Sequence, residues 1–426
     1  MFVGFDNRAE TIFDNAVFNG DANFEFAQFW SVRFHDVEFK KTLNFSELSI
    51  SKSASFTEAI FYQEVDLYRS QFGNSNLNDA SEENERIGDE AESEGRGYTS
   101  FDGAIFQEKV TFSEVHFWNE LSFNGAVFNK QTEFIGLKSD MFDVVCDFGA
   151  LTLPEDGDFV FEKVNLSKVK FHNTNLEKIV FRDVHWGTGK TRLQKFFRGN
   201  SYILWDEIRP SEGWNDWIDD SKTAENYRQL VLNYESKRDF ATAEYFHIGE
   251  MEMLRKKVGD LVNYNDYKEP SKFRAFLNRK LKFHYISNLW CKIRKYLNSY
   301  GLYWLSSRYG TSFVQALIVL VLLVCSFSFL FLLTGFKSSK ENTVEPNRVV
   351  EYNLLPDSNH VVPTFSRFIS DFIESVSYTL SIVTFQKERF YEPLGWQSRF
   401  LLYLAVFTLT AQAALVLLAI RRRFKR

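Results

Sequence analysis

The sequence predicts a mixed protein in three parts: a β-solenoid, an α-helical connector and an α-helical membrane domain. Three patterns predict them. Phenylalanine recurs every five or six residues in the N-terminal half, the apolar period becomes helical near residue 224, and two long uncharged runs lie in the last quarter. Phe occurs 46 times in 426 residues, which argues against a disordered chain. The predicted boundaries are 1–190, 191–300 and 301–426.

The repeat consists of two apolar columns. Large residues form the first, for example Phe24, Phe29, Phe34 and Phe39, and small residues two positions earlier form the second, for example Ala22, Ala27, Val32 and Val37. Neither a helix nor a strand has this period. One unit cannot bury its apolar face alone, so we expect successive coils to stack into a solenoid.

The phrases GDANF at 20–24 and GAIF at 103–106 resemble those of the Phe-rich pentapeptide-repeat proteins. The resemblance covers about residues 11–186. It implies a right-handed quadrilateral β-helix with four units per coil, and the many six-residue steps imply bulged corners.

Two segments interrupt the repeat. Residues 73–100 contain eight acidic residues and two Arg, and we predict a mobile acidic insertion. A calcium loop is the functional alternative, but the segment lacks DxDxDG spacing. Residues 137–158 contain Pro154 and are predicted to form a loop.

The charge is divided between the two halves. Residues 1–190 hold 33 acidic and 17 basic residues, whereas 191–426 hold 23 acidic and 33 basic ones. An acidic solenoid could mimic DNA, as some pentapeptide-repeat proteins do, but much of the negative charge comes from the insertion. We expect no nucleic-acid partner, and instead a cytosolic scaffold or docking surface for a protein or ligand.

The connector begins with two predicted helices, 224–234 and about 241–257, which resemble one tetratricopeptide-type hairpin. One hairpin is too little for a free-standing array, so we expect it to pack on the solenoid end or on a neighbouring subunit. Residues 271–310 then hold nine basic residues and no acidic ones. Basic residues interleaved with aromatics could bind nucleic acid, but before a membrane span they more often lie along the anionic leaflet. The predicted membrane-surface residues are Lys280, Lys282, Lys292, Arg294, Lys295, Arg421, Arg422 and Arg423.

Two uncharged runs predict membrane spans at about 312–335 and 398–420. Basic flanks before the first span and after the second predict a multi-pass protein of the cell inner membrane, with its N-terminal domain and C-terminus in the cytoplasm. Between the spans, Ser375–Gln386 is uncharged but too short to cross, which is typical of a re-entrant helix, predicted at about 368–385. An external amphipathic helix is the alternative.

Span, short helix and span, with YTLSIVTF at 378–385 and LGW at 394–396, resemble the potassium-channel-like pore module over about 301–426. The resemblance implies a homotetramer. The Gly-Tyr-Gly filter is missing, because QKERFYEP at 386–393 contains no glycine. We therefore expect no potassium selectivity. The filter candidates are Thr384, Phe385, Gln386, Lys387 and Glu388, and the sign of the permeant ion stays open.

Thr408 and Gln412 share one face of the second span and are the pore-lining candidates, with helix–helix hydrogen bonding as the alternative role. We find no enzymatic, metal or cofactor constellation: the seven His are scattered, and Gly-Lys-Thr at 189–191 lacks the first glycine of a phosphate-binding loop. The sequence therefore predicts an ion channel whose partners are permeant ions, the lipid bilayer and further copies of itself. A membrane-anchored scaffold and a depolarising defence effector are the alternatives.

Overall fold

The structure is a computed structural model. It describes residues 2–4, 6–73, 97–137, 141–142, 144–189, 201–208, 220–268, 298–338, 349–352, 365–384 and 391–424. The chain divides into two compact units, Met1–Lys257 and Val258–Arg426. The first unit is a β-solenoid of about seven turns with helices at its C-terminal end, and the second is mainly helical.

The solenoid consists of short strands. In chain order they are β1 Asp6–Ile12, β2 Val17–Phe18, β3 Ala22–Asn23, β4 Gln28–Arg33, β5 Glu38–Phe39, β6 Leu43–Asn44, β7 Ser49–Ile50, β8 Ala54–Ser55, β9 Ile60–Phe61, β10 Val65–Asp66, β11 Gln71–Phe72, β12 Tyr98–Ser100, β13 Ile105–Phe106, β14 Val110–Ser113, β15 His116–Phe117, β16 Glu120–Ser122, β17 Val127–Phe128, β18 Thr132–Ile135, β19 Cys146–Asp147, β20 Phe159–Glu162, β21 Val169–Lys170 and β22 Ile179–Arg182. A two-stranded antiparallel pair follows, β23 Thr188–Gly189 and β24 Ser201–Tyr202.

These strands form three parallel sheets of ten, seven and five strands. The seven- and five-stranded sheets take one segment from each turn. The ten-stranded sheet takes two, because the long strand β4 pairs with both β7 and β8 and so joins two faces of the coil. Side-chain bonds join equivalent positions of neighbouring turns: Thr42 donates to Asp21, 21 residues earlier, and the Ser53 N–H donates to Ser31, 22 residues earlier. A turn of this length holds four units of five or six residues. The period in the sequence is therefore the repeat of the solenoid.

The column of large residues is a stack of phenylalanine rings. Phe34, Phe56, Phe101 and Phe123 stand in successive turns with ring centroids 5.1, 4.7 and 4.7 Å apart, and each is at most 1% exposed. Ring pairs at such distances stabilise by about 0.5–1.5 kcal/mol beyond the burial of their area. The small column is buried beside the rings, as the sequence predicts.

The predicted insertion at 73–100 is described only at its ends, because residues 74–96 lie outside the described part of the chain. Strand pairing continues across it without a change of register. Ala54 before it pairs with Thr99 after it, and Val65 pairs with Val110. The segment is therefore an addition between β11 and β12.

The predicted loop at 137–158 is wrong for most of that range. Phe142, Cys146 and Phe148 are fully buried in the core, and Cys146 pairs with Leu121 of the preceding turn. The solenoid continues here because these side chains occupy the same inward positions as the repeat does elsewhere.

The left-handed backbone recurs directly before the small column. Asn15, Asp36 and Asn173 have φ near +55°, and Gly103 and Gly125 have φ of +65° and +71°. A side chain at such a position strains the backbone, which asparagine tolerates and glycine avoids. Gly103 and Gly125 therefore lie at turns of the coil where the backbone is left-handed and a side chain would be strained.

Two helices, α1 Asp220–Ser236 and α2 Phe240–Lys268, follow the solenoid. Their packing against its C-terminal end agrees with the first of the two placements expected for the connector. The amide of Asn233 donates to the carbonyls of Leu176, Glu177 and Ile179 at 2.7–3.0 Å, and the indole N–H of Trp186 donates to the Tyr234 hydroxyl at 2.9 Å. The pair thus satisfies carbonyl groups at the end of the solenoid.

Within its described residues, and apart from the end of α2, the second unit contains four helices and a small sheet. The helices are α3 Ser299–Ser307, α4 Phe313–Thr334, α5 Phe365–Val383 and α6 Trp396–Phe424. The strands β25 Phe336–Ser338, β26 Val349–Val350 and β27 Tyr391–Pro393 form an antiparallel sheet in the order β26-β25-β27. By length and composition, α4 and α6 could each cross a membrane. They coincide with the two predicted spans.

Candidate functional site

The candidate site is built on the antiparallel pair of α4 and α6. At one end, the Ser398 hydroxyl donates to the carbonyl of Gly335, which follows α4. At the other end, the side-chain amide of Gln412 donates to the carbonyl of Ala316, in the first turn of α4. Leu401, Ala405 and Leu409 are buried between these two contacts. The helices therefore run in opposite directions along one shared seam.

Helix α5 lies beside α4 and runs opposite to it. Near the C-terminal end of α4, the backbone N–H of Tyr352 donates to the Leu332 carbonyl. The Tyr352 hydroxyl donates to the Asp371 carboxylate, in the first half of α5. Further along α5, Tyr378 packs on Phe331, with ring centroids 4.7 Å apart. Later α5 residues thus contact earlier α4 residues.

Hydroxyl groups hold the second half of α5 against α4. The Ser328 hydroxyl lies 3.0 Å from the Thr379 hydroxyl, and the Ser375 hydroxyl donates to the Ser328 carbonyl at 2.7 Å. All three residues are fully buried. We call Ser328, Ser375 and Thr379 the hydroxyl seam. Small hydroxyl side chains let two helices approach closely and satisfy each other without water.

The seam sets how far α5 reaches along α4. Ser328 lies six residues before the end of α4, about 9 Å at 1.5 Å per residue. Helix α5 continues four residues beyond Thr379, about 6 Å more. Its end therefore lies about 15 Å along α4, which is close to half of that helix's length.

The chain then returns to the end from which α5 came. Ser338 pairs with Tyr391 and Phe336 with Pro393, so β27 lies directly beside the strand that leaves α4. Helix α6 begins three residues after β27. In the described parts of this stretch, β25 and β27 thus lie at one end of the helix pair, and α5 extends from that end about halfway along it.

The filter candidates follow the end of α5. Thr384 is exposed, and its hydroxyl donates to the Leu380 carbonyl at 3.0 Å. The candidates Phe385, Gln386, Lys387 and Glu388 lie outside the described residues. The last carbonyls of α5 lie at this end, and the negative end of a helix dipole favours cations.

The two pore-lining candidates differ in their surroundings. The Gln412 side chain is 4% exposed and donates to the carbonyls of both Ser306 and Ala316. These are the helix–helix bonds that formed the alternative to pore lining. Thr408 is half-buried, and its hydroxyl donates to the carbonyl of Leu404 in its own helix.

Gln412 forms part of a junction that joins α3 to the helix pair. The side-chain amide of Gln315 donates to the carbonyls of Trp304 and Leu305, at the end of α3. The Arg422 guanidinium donates to the Tyr309 carbonyl at 2.9 Å. Three polar side chains of α4 and α6 thus bind backbone carbonyls in the last turn of α3 and in the α3–α4 turn.

The other basic candidates divide into two groups. Arg421 is exposed, and Arg423 lies in the last turn of α6. The predicted membrane-surface residues Lys280, Lys282, Lys292, Arg294 and Lys295 lie outside the described part of the chain.

Two helix faces of this unit are exposed in a single copy. On α5, Phe365, Ile369, Ile373 and Leu380 form one stripe and are 42–78% exposed. On α6, Trp396, Phe400, Tyr403 and Phe407 form another and are 66–76% exposed. Their spacings of three, four or seven residues put each set on one helix face.

Sequence reasoning missed the hydroxyl seam. Ser375 and Thr379 lie four residues apart in the run predicted to re-enter the membrane, which was a usable signal. Ser328 is one of two serines in α4, and nothing in the sequence distinguishes it from Ser326.

Comparisons of this chain with protein-family models, with curated proteins and with solved structures found no match.

Proposed function

We propose that this protein is a homo-oligomeric membrane ion channel of the potassium-channel-like pore class, with α4 and α6 as its spans and α5 as a re-entrant pore helix. The observation that carries the proposal is the placement of β25, α5 and β27 relative to α4 and α6. A helix that enters halfway between two membrane-length helices and returns to the same end is the layout of such a pore. Non-spanning segments occur at that depth only where they are buried in protein or line water.

The exposed faces support an assembly of copies. Three helices of one chain cannot enclose a conduit, and the stripes on α5 and α6 are apolar surface that neighbouring subunits would cover. The resemblance to potassium-channel-like modules suggests four copies, and Thr384 and the four residues after it would surround the axis.

The ion preference follows from the end of α5. Its carbonyl dipoles favour a cation where the helix stops. The segment at 386–393 has no glycine, so a four-ring carbonyl filter of the potassium type is not expected. We therefore propose a weakly selective cation pore.

In this proposal the solenoid is a cytosolic domain that gates the pore or docks a protein or ligand. Its coil length of about four short units supports the right-handed quadrilateral pentapeptide-repeat helix that the sequence resembles. The basic residues before α4 and after α6 support an inner-membrane protein whose N-terminal domain and C-terminus are cytoplasmic, with Lys280, Lys282 and their neighbours on the anionic leaflet.

The test is conductance of the purified full chain in planar bilayers. We expect discrete currents that are altered in Thr384→Val, because this change removes a hydroxyl at the end of the re-entrant helix. The matched control is Thr334→Val. Thr334 ends α4, and its hydroxyl likewise donates to a carbonyl four residues earlier, that of Leu330.

Oligomers that stay electrically silent would refute the channel. A scaffold would retain partner binding after deletion of residues 365–392, whereas a channel would lose its current. A defence effector would arrest growth on overexpression only while α5 is intact.

A further inference from the structure

The stripes on α5 and α6 repeat at the same interval. On each helix, three exposed apolar residues are separated by four and then seven positions. On α5 they are Ile369, Ile373 and Leu380, and on α6 they are Trp396, Phe400 and Phe407. Each α6 residue follows its α5 counterpart by 27 positions. The two stripes therefore present equal patterns, each on one face of its helix.

Helices α5 and α6 both run opposite to α4, so they are parallel and their residues can be compared by level. Along the α4–α6 pair, Ser398 contacts Gly335 and Gln412 contacts Ala316. Ser328 stands seven residues from Gly335 on the way to Ala316. The same fraction of the way from Ser398 to Gln412 is about five residues, so Ser328 is level with about position 403 of α6.

The hydroxyl seam gives the level of α5. Ser375 and Thr379 both bond Ser328, so the middle of this pair, position 377, is level with Ser328. An α5 residue is thus level with the α6 residue about 26 positions later. The interval between the stripes agrees with this within about one residue, or about 1.5 Å. The two stripes therefore lie at the same depth along the helices.

The α5 stripe requires protein around it. In the proposed channel, α5 enters the membrane without crossing it, and such a segment occurs only where it is buried in protein or lines water. Within the described residues nothing covers Ile373, which is 60% exposed. Its cover therefore comes from another copy of the chain.

Helix α4 does not offer a matching face. It is antiparallel to α5, so its residues level with Ile369 and Ile373 are at about 336 and 332. Residues 331–336 are buried or half-buried, and the exposed face of α4 stops at Leu330. Toward its start α4 exposes aliphatic side chains, such as Leu322 at 60%, a surface as apolar as lipid tails. Helix α4 is therefore the span suited to lipid, and α6 the one that matches α5.

The α6 stripe is large enough for a specific contact. Its four aromatic side chains are 66–76% exposed, and each ring-bearing side chain presents about 150–250 Å². Together they leave about 400–700 Å² uncovered on one copy. A neighbour covers a similar area of its own surface, and a total of about 1,000 Å² is the size at which specific interfaces begin.

We propose that the α5 stripe of one copy packs against the α6 stripe of the next, with Ile369, Ile373 and Leu380 at the levels of the neighbour's rings. Because the two faces differ, every copy uses one stripe toward each of two neighbours. Such a contact adds copies in one direction and closes into a ring around a single axis. This packing rests on the proposed function, since it takes α5 to enter the membrane.

The experiment is oxidative cross-linking of two co-expressed chains with different affinity tags, in membranes. The background has Cys146, Cys291 and Cys325 replaced by alanine. One chain carries Ile373→Cys and the other Phe400→Cys. We expect a product of twice the chain mass that carries both tags, because a disulfide needs Cβ atoms about 3.5–4.5 Å apart and so reports direct contact.

The matched control pairs Ile373→Cys with Leu330→Cys. Leu330 is 40% exposed on α4 and lies about two residues, or about 3 Å, from the level of Ile373. We expect no product from this pair. A second pair, Leu380→Cys with Phe407→Cys, tests a deeper level of the same contact and is expected to cross-link as well.

A single chain with both Ile373→Cys and Phe400→Cys tests ring closure. We expect a ladder of products that ends at the number of copies in the ring, whereas each single variant stays a monomer. Dimers from Ile373→Cys alone or Phe400→Cys alone would show that like faces meet, and would overturn the proposal. So would equal product in the control pair, or no product in both test pairs.

Conductance of the same variants, reduced and in planar bilayers, separates this packing from the proposed channel. Currents without any cross-link at these positions would overturn the packing and leave the channel. Cross-links without currents would support the packing and count against the channel.

Discussion

Replacing Asn233 should loosen the helical cap of the solenoid while leaving the central coils intact. The Asn233 side chain is 2% exposed, and its amide lies within 3.0 Å of three carbonyls. The Leu176 carbonyl also accepts the N–H of Ile179, so the carbonyls of Glu177 and Ile179 depend most on the amide. In Asn233→Leu the side chain keeps its branched shape and its number of heavy atoms but donates nothing.

The size of the effect follows from the two bonds. A hydrogen bond inside a protein contributes about 0.5–1.5 kcal/mol net, so the loss should cost about 2 kcal/mol. Part of this is offset, because the Oδ1 atom of Asn233 is buried without a hydrogen-bond partner, and leucine removes that acceptor. Since about 1.4 kcal/mol is a factor of ten, local opening of the cap should become about tenfold more frequent, and at most about 30-fold if nothing were offset.

Hydrogen exchange followed by mass spectrometry resolves this change by segment. Peptides from 176–186 and 227–246 should exchange faster in Asn233→Leu, and peptides from 22–72 should not. The control is Asn129→Leu, because the amide of Asn129 bonds Gln107 at the exposed surface. Unchanged protection at 176–186, or an equal effect in both variants, would refute the role assigned to this amide.

Three further predictions concern single residues. Gly125→Ala should destabilise the solenoid by about 1 kcal/mol in thermal unfolding, since its φ is +71° although its surroundings are open, whereas Gly20→Ala, equally open and without a left-handed φ, should not. Burial raises the pKa of Asp206 from 3.8 to about 6, so the folded state holds a proton that the unfolded state has lost. The free energy of unfolding should therefore fall as pH rises from about 4 to 6, and Asp206→Asn should remove this slope; an identical slope in the variant would contradict the assignment. Gln412→Leu should lower the unfolding free energy of the helical unit in micelles by about 1–2 kcal/mol, because two carbonyls lose their donor, while Gln397→Leu on the exposed side of α6 should not.

The solenoid was predictable wherever its two columns keep their spacing. Between Phe134 and Phe142 the interval widens to eight residues, and there the period predicts a loop although Phe142, Cys146 and Phe148 are buried. A side chain is buried when it lies on the inward face of the coil, whatever its distance along the sequence from the previous buried residue. Where a turn of the coil contains extra residues, a search for a five- or six-residue period therefore misses the next inward position.

The membrane-length helices were predictable because lack of charge over twenty residues is a property of composition. The role of Gln412 was not. A polar side chain on one face of an apolar helix is compatible with water in a pore or with a carbonyl on another helix. The choice between these two roles depends on how α3 and α4 pack beside α6. In this chain the carbonyls of Ser306 in α3 and Ala316 in α4 both lie within hydrogen-bond distance of Gln412.

In the proposed channel, the hydroxyl seam would explain how α5, whose uncharged part from Ser375 onward is too short to cross a membrane, keeps a fixed depth. Apolar contacts alone would let α5 slide along α4, because lipid and side chains offer similar surroundings in a bilayer. The bonds of Ser328 with Ser375 and Thr379 join particular turns, so a shift by one turn would break both. The end of α5 is thereby positioned by α4, before the chain enters residues 385–390. In the proposed channel, the depth of the filter would accordingly be set by three hydroxyl-bearing residues in the helices, and its chemistry by the side chains that follow Thr384.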